Sequence, residues 1–278
     1  MSLWCVILES GIVVIFKLVT SFALMCYFTC CMALASEMNQ GDIGLWTDAE
    51  LAQVMTPANQ SVSPGAQIVK ISDHFINTPY AANTLVGGPQ EAERLVINLS
   101  AFDCFTFLDV VESLRRSAVV EDFPEQLKKL RYRNGTVAYA MRRHFFSDWV
   151  TGEATAISDV TAVVGQGRAQ TVVKQLNRKS DGTRWLPEIP IISRQIAYIP
   201  LSAIDAQMLS LLQNGDYVGV YSELAGLDVS HTGLIVKSKD RVMFRHASSR
   251  PGVEQVVDED LITYLQDTPG LVVYRVDP

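Results

Sequence analysis

The sequence predicts an α+β fold in which a helix that begins with a cysteine packs against an antiparallel β-sheet. The buried face of that helix is marked by side chains at helical spacing, namely Cys104, Phe107, Leu108, Val111 and Leu114. The last third of the chain alternates in the manner of half-buried strands. It contains four candidate antiparallel strands, at residues 216–221, 231–237, 242–246 and 271–276.

Length, composition and charge exclude several classes of protein. The chain has 278 residues, of which 48% are hydrophobic, so it can bury a full core and is not expected to be disordered. Its net charge of −7 argues against a nucleic-acid or anionic-membrane partner, because binding to either requires a basic face.

The first 35 residues have the features of a secretory signal peptide. Lys17 is followed by a nearly unbroken apolar run, residues 18–34, which ends in Ala33-Leu34-Ala35. A basic residue, an apolar run and an A-x-A site together predict cleavage after Ala35 and export to the periplasm. The competing interpretation is a membrane anchor, since the run is near the lower limit for a membrane span. The A-x-A site favours cleavage, with no stable membrane insertion afterwards.

Removal of this leader leaves residues 36–278, which we expect to form one domain with a helical N-terminal part and an insertion around residues 150–195. Four of the five cysteines lie in the leader, so Cys104 alone remains in the exported chain. A helix start stabilises a thiolate, which makes Cys104 a candidate nucleophile. The alternatives are a small buried apolar side chain and a disulfide to another chain.

Local signals place the remaining elements. Thr47 caps a short helix, and Ser63-Pro64 begins a second, which ends before Pro79 because the residue preceding a proline avoids helical geometry. The cysteine helix should end near Ser117. We expect further elements in the order helix 123–130, strands 160–164 and 171–176, a loop at 177–190 around Trp185, and a short helix at 258–265.

Residues 139–149 combine aromatic and basic side chains. Two interpretations are open: an amphipathic helix with a solvated basic edge, or a substrate-binding wall in which arginines hold carboxylates and aromatic rings contact sugars.

A nucleophilic cysteine needs a base, and two of the four histidines are suitably placed. His231 opens one predicted strand and His246 closes the next, so a hairpin turning at residues 238–240 would bring the two imidazoles within hydrogen-bond distance. The alternative is two solvated histidines at a hairpin end. His74 and His144 are weaker candidates because they lie on predicted helices. A zinc site is disfavoured, since no H-x-x-x-H or C-x-x-C spacing is present, and no metal or cofactor is expected.

Several motifs together resemble a known family. They are Pro79-Tyr80, Phe102-Asp103-Cys104, Gly215-Asp216, Ser230-His231-Thr232-Gly233 and His246-Ala247-Ser248. In this order they resemble the NlpC-type cell-wall hydrolases of the papain-like cysteine-peptidase superfamily. The run Leu95–Leu108, with Arg131-Tyr132-Arg133 and His144–Trp149, resembles more specifically a once-uncharacterised branch associated with N-acetylmuramoyl-L-alanine amidase activity. The resemblance extends from about Thr78 onward.

The resemblance implies a papain-like fold with extra helices and insertions, and roles for particular residues. Cys104 would be the nucleophile, His231 the base and His246 the third member of a triad. Tyr80 would lie beside the thiolate near the oxyanion, and Asp103 would recognise a free amine. One departure matters, because Phe105-Thr106 replaces the small Ser-Gly of relatives and narrows the site. The candidate substrate-binding residues are Tyr80, Asp103, Arg131, Arg133, Arg142, Arg143, Trp149 and Ser230.

The resemblance therefore implies a peptidoglycan amidase that cuts between N-acetylmuramic acid and L-alanine through a cysteine acyl-enzyme. Its partners would be peptidoglycan or muropeptide fragments, and no oligomeric state is indicated. Three alternatives stay open: a γ-D-glutamyl-diaminopimelate endopeptidase, a catalytically silent wall-binding module, and a lipid- or protein-directed transferase on the same scaffold.

The first prediction concerns export. The mature chain should begin near Ser36, because the signal peptidase cleaves after the A-x-A site. N-terminal sequencing of exported protein measures this directly, and a retained leader would contradict it.

Overall fold

The computed structural model describes residues 46–61, 63–152, 155–239 and 241–277. The predicted leader, its cleavage site and the cysteines within it lie outside the described residues. Those described fall within one compact unit.

An antiparallel sheet is the centre of the fold. Its strands are β1 (Ile157–Asp159), β2 (Gln170–Leu176), β3 (Ile192–Pro200), β4 (Tyr217–Tyr221), β5 (Val229–Lys237), β6 (Val242–Ala247), β7 (Val256–Asp260) and β8 (Gly270–Val276). The order across the sheet is β2-β3-β8-β4-β5-β6-β7, and β1 also pairs with β8. Every pairing between these strands is antiparallel. The predicted α+β class is therefore confirmed.

The α-helices of the described residues are α1 (Asp48–Asn59), α2 (Pro64–Asp73), α3 (Cys104–Arg116), α4 (Phe123–Arg131), α5 (Thr161–Gly165), α6 (Ala206–Leu211) and α7 (Leu261–Leu265). The predicted caps are confirmed. Thr47 forms a capping box with Glu50, and Ser63 caps α2 ahead of Pro64. These side chains bond backbone N–H groups that a helix leaves unpaired at its start.

The sheet is covered on both faces. On one face, Tyr217, Leu234 and Val272 join the core formed with α1 to α4. On the other, Val218, Ile235 and Val273 pack with the short helices α5, α6 and α7. This alternation follows from the two-residue period of strands. The helix that begins with Cys104 lies on the first face.

Gly233 shows how closely the β5–β6 hairpin packs. A Cβ at this position would lie 2.4 Å from the ring of Phe244 and 2.5 Å from the carbonyl oxygen of Arg245. Any larger residue would push the two strands apart, so the glycine is required by the approach of β6.

Two predicted elements are wrong. Residues 161–164, predicted within a strand at 160–164, lie in α5, because Asp159 bonds the N–H of Thr161 and Val164 is buried in the second core. Residues 258–260 belong to β7 rather than to a helix, since they pair with β6, and the helix begins only at Leu261. Packing and pairing with distant residues override the weak local propensities.

Residues 139–149 do not form the amphipathic helix considered above. They contain two short 3₁₀ segments, Tyr139–Met141 and Phe146–Val150, joined by extended backbone at Arg142 and Phe145. Strands β1 and β3 are present in the structure but were not predicted from the sequence. No helix in the described part of the chain combines the length and apolar character needed to cross a membrane.

Candidate active site

Cys104 is the first residue of α3, as the sequence predicts. Asp103 caps the helix, and its Oδ1 accepts hydrogen bonds from the backbone N–H groups of Phe105 at 3.0 Å and Thr106 at 2.7 Å. The Thr106 hydroxyl donates to the same oxygen at 2.8 Å. The cap therefore fixes where the helix begins, and with it the position of the cysteine.

The sheet holds Cys104 from the other side. The hydroxyl of Thr232, on β5, donates to the carbonyl oxygen of Cys104 at 2.9 Å. Thr232 is buried and Cys104 is half-buried. This bond links the helix that carries the cysteine to the strand that carries His231.

Cys104 and His231 line one cavity of about 220 Å³. Its lining is mainly aromatic and apolar, and the described lining residues include no lysine or arginine. They are Cys104, Phe105, His144, Phe145, Phe146, Trp185, Leu186, Leu227, Asp228, Val229, Ser230, His231 and Thr232. The bulky Phe105, which follows the cysteine in the sequence, is part of this lining. This agrees with the expectation that it makes the site narrower.

The two imidazoles form the predicted pair. Nε2 of His231 lies 2.8 Å from Nδ1 of His246, and the ring centroids are 4.8 Å apart and nearly perpendicular. The predicted hairpin of the two strands is confirmed, with Leu234 of β5 opposite Arg245 of β6. Because Nε2 of His231 is bonded to His246, Nδ1 of His231 is the nitrogen left for the thiol.

The hydrogen-bond chain continues beyond His246. Its Nε2 lies 3.1 Å from Oε1 of Glu259 on β7, and Arg250 forms an ion pair with the same carboxylate. The Tyr264 ring packs against both imidazoles, at 5.9 Å from His231 and 4.9 Å from His246. Sequence reasoning missed Glu259 because the acidic run 258–260 had the appearance of a first helical turn.

Burial determines the resting protonation states. It raises the pKa of the Cys104 thiol to about 11, with the Asp103 charge adding to the effect. It lowers the pKa of His231 to about 3 and that of His246 to about 4. A neutral thiol therefore faces neutral imidazoles at pH 7. Desolvation thus acts against the helix start, which by itself favours a thiolate.

Tyr80, Asp103 and Ser230 lie close to Cys104. The pKa of Tyr80 is raised by burial and by the nearby Cys104 and Asp103 charges, and its backbone bridges to Phe102. Asp103 uses Oδ1 for the cap, while Oδ2 has no hydrogen-bond partner among the described residues. Ser230 lines the cavity. These three stay candidates for substrate contact.

The four predicted arginines are held by internal partners. Arg131 is buried and bonds Asp109 at 2.8 Å, and Arg142 donates from Nε to Glu93 at 2.9 Å. Arg143 is buried and donates to the carbonyls of Lys129 and Leu130 at the end of α4. Arg133 pairs with Asp148 at 2.9 Å. None of them lines the cavity. That these arginines hold a substrate carboxylate therefore stays a prediction, which none of these contacts supports.

Trp149, also predicted to bind substrate, does not line the cavity. It is fully buried, lies in the core and packs edge-on against Tyr217 at 5.2 Å. A tryptophan from elsewhere lines the cavity instead, Trp185, which is 42% exposed.

The loop at 177–190 places Trp185 and Leu186 in the cavity wall. The buried side chain of Asn177 organises it: Nδ2 donates to the carbonyls of Leu186 and Ile189, and Oδ1 accepts from the Leu186 N–H at 2.7 Å. The indole of Trp185 donates to the Ala225 carbonyl at 2.9 Å. A polar stretch of this length is too long for a simple turn, which indicates a functional loop from the sequence alone.

Metal-ligating side chains are not grouped in the part of the chain that the structure describes. Among those residues, no cluster of three or more histidine, cysteine, aspartate or glutamate side chains is arranged to hold an ion.

Comparison with known proteins identifies relatives. A family described as N-acetylmuramoyl-L-alanine amidase-like matches residues 70–271. An N-acetylmuramoyl-L-alanine amidase from Bacteroides uniformis has a similar structure, with a TM-score of 0.66 and 24% identity over 77% of this chain and 99% of that one. Among curated proteins, none matches.

Two further solved structures share the fold. A protein from Legionella pneumophila has a TM-score of 0.66 and 23% identity, covering 83% of this chain and 94% of that one. A Bacteroides fragilis protein provisionally described as a xylanase has a TM-score of 0.61 and 26% identity, covering 77% and 100% respectively.

The buried arginine gives a test of its structural role. Arg131→Met should lower the free energy of unfolding by about 3–5 kcal/mol, because Asp109 would be left buried without its partner. Arg168→Met is the matched control. Arg168 pairs with Asp205 at the protein surface, so its loss should leave the free energy of unfolding nearly unchanged. Urea unfolding measures both. Unchanged stability with a raised KM in the Arg131 variant would restore the substrate-binding interpretation.

The protonation states predict slow alkylation. Iodoacetamide should modify Cys104 more slowly than a small free thiol at pH 7, because the raised pKa keeps the sulfur protonated. The rate should climb with pH until about 11. Mass spectrometry of the labelled peptide follows this site alone, with Cys104→Ser as the blank. A rate that is already constant below pH 7 would show a resting thiolate instead.

Proposed function

This chain belongs to the N-acetylmuramoyl-L-alanine amidase-like family, and on that premise we propose that it hydrolyses the amide bond between N-acetylmuramic acid and L-alanine. The observation that carries the proposal is the shared cavity of Cys104 and His231, with His246 bonded behind the base. A nucleophile, a base and a residue that orients the base are the groups that acyl transfer requires.

The first half of the proposed reaction forms a thioester. The Cys104 sulfur attacks the carbonyl carbon of the lactyl group, and Nδ1 of His231 takes the thiol proton as the C–S bond forms. The tetrahedral intermediate then collapses and breaks the C–N bond. The departing amine of L-alanine receives that proton from His231, so the stem peptide leaves as a neutral amine.

The second half consumes one water molecule. His231 takes a proton from water as the oxygen attacks the thioester carbonyl, and the C–S bond breaks. The proton returns to the sulfur, which restores the neutral thiol and releases the muramic acid carboxyl group. Since thiol and imidazole are both neutral at rest, proton transfer accompanies attack in each half.

Two donors are suited to the oxyanion. The first is the backbone N–H of Cys104, at the start of α3, where the helix itself supplies no acceptor. The N–H groups of Phe105 and Thr106 are already bonded to Asp103. The second is the Tyr80 hydroxyl, whose raised pKa keeps it protonated and able to donate.

The cavity lining supports the muramic acid bond over the endopeptidase alternative. A γ-D-glutamyl acyl group carries a free carboxylate, whereas the lactyl-bearing sugar carries no charge. The described lining has four large aromatic rings, those of Phe105, Phe145, Phe146 and Trp185, and no lysine or arginine. Such a surface accepts a neutral acyl group and leaves a carboxylate without a partner.

The same lining argues against glycoside hydrolysis, the activity suggested by the Bacteroides fragilis relative. That chemistry uses a pair of carboxyl groups across the scissile bond. Asp228 is the one carboxylate among the described lining residues. Its two oxygens accept hydrogen bonds from the backbone N–H groups of Ser147 at 2.7 Å and Val229 at 2.8 Å.

We also propose a papain-like scaffold and an extracytoplasmic site of action. A helix that begins with the nucleophile and a sheet that carries the base are the parts this scaffold requires. Peptidoglycan lies outside the cytoplasm, which agrees with the leader predicted at residues 1–35.

Turnover of muropeptides tests the proposal. The purified protein should release a free stem peptide that begins with L-alanine, detected by mass spectrometry. Cys104→Ala should abolish release, and His231→Ala should reduce it by about 10²–10⁴-fold because the base is lost. His246→Ala should be milder, at roughly 10–100-fold, because His246 acts through His231.

His74→Ala is the matched control for the histidine variants, since His74 is exposed at the end of α2. Fragments that retain L-alanine on the sugar would indicate the endopeptidase, and absence of any cleavage would favour a binding module. Activity that survives Cys104→Ala, or that is lost to chelators and not to alkylation, would overturn the cysteine mechanism.

A further inference from the structure

Behind the imidazole pair lies a carboxylate that the mechanism above does not use. Glu259 is on β7, opposite Phe244 of β6, and its side chain is 18% exposed. Its Oε1 lies 3.1 Å from Nε2 of His246, whose own side chain is 1% exposed. The chain of contacts thus runs from His231 through His246 to Glu259.

The acceptors in this chain determine where each proton lies. A neutral imidazole carries one N–H, and a carboxylate can only accept. The His246 proton must therefore be on Nε2, facing Glu259, which leaves Nδ1 as an acceptor. The His231 proton must then be on Nε2, donating to Nδ1 of His246 across 2.8 Å. Nδ1 of His231 is left without a proton.

We propose that Glu259 is a positioning residue, which fixes the tautomers of both histidines so that the bare Nδ1 of His231 is presented to Cys104. The role rests on the function proposed above, in which that nitrogen takes the thiol proton. When it does so, His231 becomes an imidazolium and keeps its Nε2–H bond to His246. No proton has to pass along the chain, and the carboxylate charge stabilises the cation.

The surrounding groups agree with this role. Arg250 pairs with Glu259 and keeps its carboxylate in place, while the Tyr264 ring from α7 covers both imidazoles. The neighbouring Asp258 is turned to the other face of the strand, where it bonds Arg245 at 2.7 Å. Asp258 therefore offers a matched control: an acid one residue away, whose hydrogen bonds go to Arg245 and not to either histidine.

Nitrogen-15 NMR of the histidine rings tests the tautomers without any substrate. In the full chain, His231 and His246 should each show a protonated Nε2 and a bare Nδ1. Glu259→Leu should convert one or both to mixed tautomers, and Asp258→Asn should not. His144 is an internal reference, since its Nε2 bonds the Tyr139 carbonyl at 2.8 Å and should be unaffected. A protonated Nδ1 on His231 in the wild type would overturn the proposal.

Kinetics on muropeptides then separate positioning from simple loss of structure. Glu259→Leu should lower kcat by roughly 10–100-fold with little change in KM, because substrate contacts are intact. Glu259→Gln should retain most of the activity, since its amide oxygen can accept the same hydrogen bond. Equal losses in both variants, with unchanged histidine spectra, would contradict tautomer control.

The two readouts keep this proposal distinct from the proposed function. If the protein cleaves no muropeptide but the spectra change as described, the amidase assignment fails and the role of Glu259 stands. If cleavage occurs and Glu259→Leu leaves kcat and the spectra unchanged, the role of Glu259 fails alone. Should the leucine variant not fold, the glutamine variant still allows both measurements, with a detectable Nδ1–H on His231 as the contrary result.

Discussion

The hydrogen bond from the Thr232 hydroxyl to the Cys104 carbonyl holds together the two layers on which the site depends. The cysteine belongs to the helical layer and both histidines belong to the sheet. The position of the cysteine relative to the histidines depends on how α3 packs against β5. The Thr232–Cys104 hydrogen bond is a direct polar link at that contact. The Asp103 cap acts on the helix side and the close packing at Gly233 acts on the sheet side, so each layer brings a rigid half of the site.

Local sequence patterns predicted these two halves well because the interactions that build them are local. A cap and its helix span a few residues, and a hairpin register follows from a short turn, so Cys104 and the His231–His246 pair could be located from the sequence. The internal partners of the arginines could not be predicted because they are distant in sequence. The charge of Arg131 does not reveal that Asp109, 22 positions earlier in the chain, neutralises it inside the fold.

Burial explains the other differences from expectation. The helix start indicated a thiolate at Cys104, but desolvation is a property of the assembled site and reverses the direction of the pKa shift. Likewise, the acidic run at 258–260 has the composition of a helix start, yet pairing with β6 makes it a strand and turns Glu259 toward His246. Both effects come from neighbours that are remote in sequence.

The loop at 177–190 is held in place by different contacts from those that hold the rest of the cavity wall. Its shape comes from one buried amide, that of Asn177, while the cysteine and the histidines are held by α3 and the sheet. The part of the cavity wall formed by Trp185 and Leu186 is therefore built separately from the cysteine and the histidines. Insertions or deletions between Asn177 and Pro190 can remodel the entrance to Cys104 without disturbing the hydrogen bonds behind it. This part of the cavity wall can thus change in length and shape while the cysteine and the histidines keep their positions.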